Sequence, residues 1–108
     1  MRELPEADWR VLRSIKDAAL ERFCAKALRE AAEVIEDSGV GSHERYLRLF
    51  RLLGERDDEL ADAFNGLRRS TALLQLSRMR SLGLVTDEEM ARFSEDTRQT
   101  LERILAPL

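Results

Sequence analysis

Residues from about Pro5 to Asp37 read as helix, so nearly a third of this 108-residue chain is committed to one element. Pro5 suits a first-turn position, and Leu20, Phe23, Ala27, Ala31 and Val34 recur at helical spacing. A straight helix of that length would run roughly 45 to 50 Å at about 1.5 Å per residue, whereas a compact chain of this size has a radius of gyration of only about 13 Å. Val11, Leu12 and Ile15 set an apolar stripe of their own, and Lys16 and Asp17 fall where the Leu20/Phe23 stripe would extend backwards. The pattern therefore predicts a break near Ser14 to Asp17, in preference to one long rod whose ends would need a partner chain to cover them.

Downstream, Asp37-Ser38-Gly39-Val40-Gly41-Ser42 is a loop, with Gly39 as the stop and Ser42 as the N-cap of the next helix. That helix is predicted over 43–55. Its Tyr46, Leu47, Leu49, Phe50, Leu52 and Leu53 cover most of the circumference, which suits a central position. Gly54 to Asp57 reads as a turn, and Asp57 or Asp58 as the cap of a short helix to Phe64. Asn65-Gly66 signals a break before a helix over 67–82. Gly83 stops that helix, with Leu84 packing back onto its last turn. Thr86-Asp87-Glu88-Glu89 has the form of a capping box opening a short helix. Ser94 recaps, and a last helix to about Leu105 turns Leu101, Ile104 and Leu105 inward.

With 44% hydrophobic and 36% charged residues the chain is too apolar for intrinsic disorder, and one core is all that its length supports. Few aromatics, 5 Gly and 2 Pro leave it without the punctuation of an all-β chain. The opening Met-Arg-Glu-Leu-Pro-Glu lacks an apolar signal region, and no stretch approaches the roughly 18 apolar residues of a membrane span. Cys24 is the only cysteine, so no internal disulfide forms and a reducing compartment, the cytoplasm, is expected. The net charge of −3 gives no general attraction to nucleic acid or anionic lipid.

Local charge is less even. Gly66 to Leu82 contains Arg68, Arg69, Arg78 and Arg80 and no acid, while Arg56 to Asn65 and Gly83 to Leu108 each carry a net −3. Neighbouring acids can cancel the arginines, Arg69 and Arg80 in particular being placed to meet acids of the short flanking helices, so intramolecular pairing or a protein interface is the expected use of this helix's charge. Nucleic-acid binding by this helix is the alternative, disfavoured because Leu73, Leu76, Met79 and Ala72 on one side and Leu67, Leu74 and Leu82 on the other leave little free polar face.

Catalytic and metal chemistry find no foothold. His43 is the only histidine and has no second His or Cys beside it, so zinc ligation and triad chemistry are both unsupported. Cys24, next to Phe23, reads as a small buried hydrophobe. The acid pairs Glu30/Glu33, Asp57/Asp58 and Glu88/Glu89 read as solvated faces or first-turn acids. Gly39-Val40-Gly41 lacks the lysine and the preceding strand of a phosphate loop.

The segment Leu73 to Phe93 carries Leu76, Met79 and Leu82 on one helix, followed by Gly83-Leu84-Val85-Thr86-Asp87-Glu88-Glu89-Met90. In this it resembles the short SHOCT helix-turn-helix modules, a resemblance that implies oligomerisation. It covers about a fifth of the chain. Met90 stands where those modules show Phe or Tyr, and a further capped helix follows where they end, so no function is carried over from them.

The expectation is thus a single all-α domain over 1–108, a compact bundle of five to seven helices centred on 43–55 and 67–82. The expected function is non-enzymatic protein-protein interaction or assembly, with a homo-oligomer such as a homodimer expected ahead of a different protein partner, with no cofactor and with Arg68, Arg69, Arg78 and Arg80 as candidate interaction residues. A third class, a small-ligand binder, would need a pocket lined by Trp9, Tyr46, Phe50 and His43.

Overall fold

The computed structural model describes residues 2–107, and among them the chain is all helical. Five helices follow in order: α1 Glu6–Glu36, α2 Ser42–Phe64, α3 Arg69–Ser81, α4 Asp87–Met90 and α5 Glu95–Leu105.

The break expected at Ser14 to Asp17 does not occur. α1 is one helix of 31 residues. Its inward side runs Asp8, Leu12, Ile15, Ala19, Phe23, Ala27 and Ala31, in steps of three and four that never lose phase. Ala19 is the residue that joins the two stripes, and Lys16 and Asp17 simply fall on the exposed side. The N-cap position is Pro5, whose missing N–H is no loss where the helix has no acceptor for it.

α2 is likewise continuous, so the turn at Gly54 to Asp57 and the separate cap at Asp57 or Asp58 are both overturned. A glycine inside a helix costs only about 1 kcal/mol, too little to end one that is tied down on either side. Here Arg56 supplies the tie, bonding Glu59 at 2.8 Å along α2 and Glu30 of α1 at 2.9 Å. At its start, the N-cap is Gly41 and not Ser42, whose hydroxyl instead accepts from Arg45.

The centre of the fold is α3, which buries Ala72, Leu73, Gln75, Leu76, Ser77 and Met79 against α1, α2 and α5. Its ends are shorter than the sequence suggested, with Leu67 outside the helix. The Asn65-Gly66 break is present, Gly66 taking a φ of 64°. Gln75 closes the α2 terminus by donating to Asn65 O at 2.9 Å and to Ala63 O at 3.4 Å. At the other end Gly83 takes a φ of 75°; Leu84 N bonds back to Met79 O and Gly83 N to Arg80 O, both at 3.0 Å. Leu84 is buried on that last turn as expected.

Thr86 and Glu89 form the reciprocal capping box, with bonds of 3.0 and 2.9 Å. Arg22 of α1 grips the same glutamate at 2.7 Å and also donates to Leu84 O. Ser94 caps α5, which buries Thr97 and Leu101 but leaves Ile104 and Leu105 exposed, contrary to the inward orientation expected of them. Two turns are all that α5 has against α3, and its last turn runs past the core.

These elements pack as a head. Its core joins Leu4, Leu12, Ile15, Ala19 and Phe23 to Ala63, to the inner side of α3 and to Leu84, Val85, Phe93 and Leu101. Phe64 meets Phe23 edge-on, with ring centroids 6.4 Å apart. The end of α1 and the first two-thirds of α2 continue beyond the head as an antiparallel arm. The arm explains a radius of gyration of 16.6 Å and extents of 51 × 29 × 24 Å, against the roughly 13 Å of a sphere-like chain.

Candidate interaction surface

Of the six side chains expected to make helix 43–55 central, Tyr46, Phe50 and Leu53 are exposed, and Leu47, Leu49 and Leu52 are half-buried. Ala63 is the only buried residue of α2. Tyr46 is 68% exposed, Phe50 72% and Leu53 46%, joined by Leu28 at 67% and Ile35 at 53% on α1. The sequence reading went wrong because an apolar helix face does not say which molecule covers it.

Geometry places the five together. Leu28 and Ile35 are seven residues apart, and Tyr46, Phe50 and Leu53 follow at four and three, so each set forms a single stripe. The two stripes open onto one side of the arm. Ile35 and Tyr46 share a groove near the tip with Arg45 and Leu49, and Ala27, Phe50 and Leu53 share one of about 530 Å³ nearer the head with Asp57 and Leu60. Where the arm meets the head, Lys26, Glu30, Arg56 and Glu59 surround a cleft of about 270 Å³ that Phe23, Leu82 and Leu84 also line and that shares Ala27 and Arg56 with the second groove. There Arg56 lowers the Glu30 carboxyl below the usual range by direct hydrogen bonds, and its own pKa rises.

Charge on the apolar side is sparse. Arg45 sits at the tip, where it donates to Ile35 O and Ser42 Oγ while its Nε is buried without an acceptor. Asp57 borders the groove nearer the head. Among the described residues neither has an ion-pair partner, although their neighbours Arg48, Arg51 and Arg56 all do.

The four candidate arginines do not converge on one surface. Arg69 reaches Glu6 at 3.2 Å and Leu4 O at 3.1 Å, tying the segment before α1 to α3. Arg80 holds Asp87 and Val85 O, both at 2.6 Å. Arg78 points the other way, 3.8 Å from Asp62. Arg68 precedes the helix, where its backbone N–H is taken by Thr71 Oγ1 at 3.3 Å. Three of the four are thus held by acids of this chain, including the short flanking helix α4.

His43 is exposed in the first turn of α2, and Cys24 is half-buried beside the head core. Among the described residues no group of three or more His, Cys, Asp or Glu side chains could hold a metal ion. Nor do Trp9, Tyr46, Phe50 and His43 line a common pocket: Trp9 packs on the head core, while the other three stand on the arm. No described helix is long and apolar enough to cross a membrane.

One polar site was missed entirely. Asp8, in the first turn of α1 and buried, accepts from Ser94 N at 2.8 Å, Ser94 Oγ at 2.7 Å and Thr97 Oγ1 at 2.7 Å. Burial pushes this carboxyl up, but the bonds from Thr97 and Ser94, helped by the charge of Arg2, outweigh it and hold the group below the ordinary aspartate range. The only sequence signal was Ser94 as a helix cap, which does not reveal a partner 86 residues away. This site is a clasp between α1 and α5.

No protein family matches this chain, and neither curated proteins nor solved structures offer a match.

Proposed function

We propose that this protein is a non-enzymatic helical association module whose binding surface is the apolar side of the α1–α2 arm. The observation that carries the reading is the contiguous exposure of Leu28, Ile35, Tyr46, Phe50 and Leu53 on a rigid hairpin, outside a head that already has a closed core. With roughly 150 to 250 Å² for a fully open ring and a little less for an aliphatic chain, the five expose on the order of 500 Å² of apolar surface. That reaches the size at which patches on single chains are commonly functional, about 300 to 600 Å². Arginines held by their own chain's acids favour this surface over phosphate binding by α3.

The test is site-specific photo-crosslinking in cells. A photoreactive phenylalanine analogue at Phe50 should give a covalent adduct whose partner peptide is identified by mass spectrometry, and the same analogue at Ile104, on the opposite end of the molecule, should give none. Absence of any adduct from positions 46, 50 and 53 would overturn the reading.

A further inference from the structure

We propose that the occupant of this face is a second copy of the chain, its arm packed antiparallel about a two-fold axis close to Phe50 and Leu53, so that two hairpins close into a four-helix bundle. The inference rests on the arm being an association surface, and names what it associates with.

Area comes first. A standard interface covers about 800 Å² of each partner, of which roughly 56 to 65% is apolar. The exposed apolar surface of the arm, on the order of 500 Å², meets that share without help from the head. Shape comes next. An antiparallel helix pair with one apolar side is half of a four-helix bundle, and a two-fold axis supplies the other half with the same side chains.

Charge fixes the direction. The apolar side carries a cation at the tip, Arg45, and an anion nearer the head, Asp57, neither paired within the chain among the described residues. They stand six residues to either side of position 51 along α2, so an axis that passes between Phe50 and Leu53 is equally far from both. Antiparallel pairing therefore sets Arg45 of each copy against Asp57 of the other, twice. A parallel pair would set arginine against arginine and aspartate against aspartate. Between the two charges lie Tyr46, Leu49, Phe50, Leu53 and Gly54, and Arg56 at the edge of the groove is already paired with Glu30 and Glu59, so a self-paired face meets no unmatched like charge at its centre.

The experiment is light scattering on the purified full chain, with helicity followed by circular dichroism. Wild type should weigh about twice 12.4 kDa. F50D, a change at an open position, should return the mass to 12.4 kDa with helicity unchanged, through a loss of affinity of about 100-fold or more. D57R should weaken the pair about ten-fold or more by opposing two arginines, and D57N, which only removes the attraction, should weaken it less. A D57R chain as tight as wild type, or one no weaker than D57N, overturns the antiparallel register.

A wild-type mass of 12.4 kDa overturns self-pairing. The Phe50 photo-adduct then separates the two levels. An adduct to a different protein overturns the second copy and supports the arm as an association surface, while no adduct overturns both.

Discussion

Removing the Asp8 carboxylate should unlatch α5 while leaving the rest of the head folded. Asp8 receives three hydrogen bonds, two from Ser94 and one from Thr97. Ser94 is exposed, so water can take over both of its donors at little cost. Thr97 is not: its hydroxyl is fully buried and loses its only acceptor. A buried donor left without a partner costs about 1 to 3 kcal/mol, and loss of a charge-assisted bond adds to that, so D8A should destabilise by about 3 kcal/mol. At about 4 to 5 °C per kcal/mol for a chain of this size, the melting temperature should fall by roughly 12 to 15 °C. D8N keeps the shape and one acceptor, loses the charge and turns an amide donor towards existing donors; about 1.5 kcal/mol is expected.

The pH dependence tests the cause. Because the folded carboxyl is held below its unfolded value of about 3.9, its stabilisation is complete above that value and is lost as pH falls through the lower folded value. Thermal unfolding followed by circular dichroism at pH 7 should separate wild type from D8N, and the gap should close progressively below about pH 4. A D8N chain as stable as wild type at pH 7, or a gap that persists unchanged well below pH 3, would refute the assignment of stability to the ionised clasp.

Four further outcomes are expected. G54A should stabilise by about 0.5 to 1 kcal/mol, since the glycine is inside a helix with open space around a new Cβ; destabilisation in a denaturant titration would mean that α2 is broken there. G83A should cost about 1 kcal/mol or more, because the α3 stop needs a φ of 75°, and an unchanged denaturation midpoint would contradict that backbone. L76A, at a fully buried position on α3, should lose about 2 to 5 kcal/mol in the same assay, against less than about 0.5 kcal/mol for R78A at the surface. Finally, neutralising Arg68, Arg69, Arg78 and Arg80 together should leave fluorescence anisotropy of a labelled duplex as flat as with wild type; tight, salt-sensitive binding by wild type that the variant loses would revive nucleic-acid recognition by α3.

What could be read from the chain alone was what local chemistry decides. Thr86 and Glu89 cap each other across three residues, Gly83 and Leu84 close a turn on the helix just before them, and Ser94 caps its own successor. Each of these needs no distant partner. The breaks wrongly read into α1 and α2 each involve one. Ala19 links two apolar stripes into one, but a lone alanine carries weight only once α3 lies against it. Gly54 looks like a turn until Arg56 is seen bridging to Glu30, 26 residues away. Phe50 and Tyr46 have the composition of a core and the exposure of a surface, a distinction that hydrophobicity cannot encode. Arg69, Arg78 and Arg80 do meet acids of this chain, but Glu6, the partner of Arg69, comes from the far end of it rather than from a short flanking helix.

The unbroken α1 has a consequence for how the arm behaves between encounters. Leu12, Ile15 and Phe23 anchor the first part of this helix in the head, and the same hydrogen-bonded backbone continues without a hinge to Glu36. The arm can flex as a rod flexes, but it cannot swivel, and Arg45 and Arg56 brace it against α2 at two heights. Its apolar side is therefore held in shape before anything meets it, and the disorder that a floppy hairpin would surrender on docking was already surrendered when the head folded. Recognition by such an arm should be limited by encounter rather than by rearrangement, with affinity changes appearing chiefly in how long a complex lasts. Hydrogen exchange along α1 should show the same gradient, slowest beside Leu12 and Ile15 and fastest toward Glu36, since the arm borrows its order from the head.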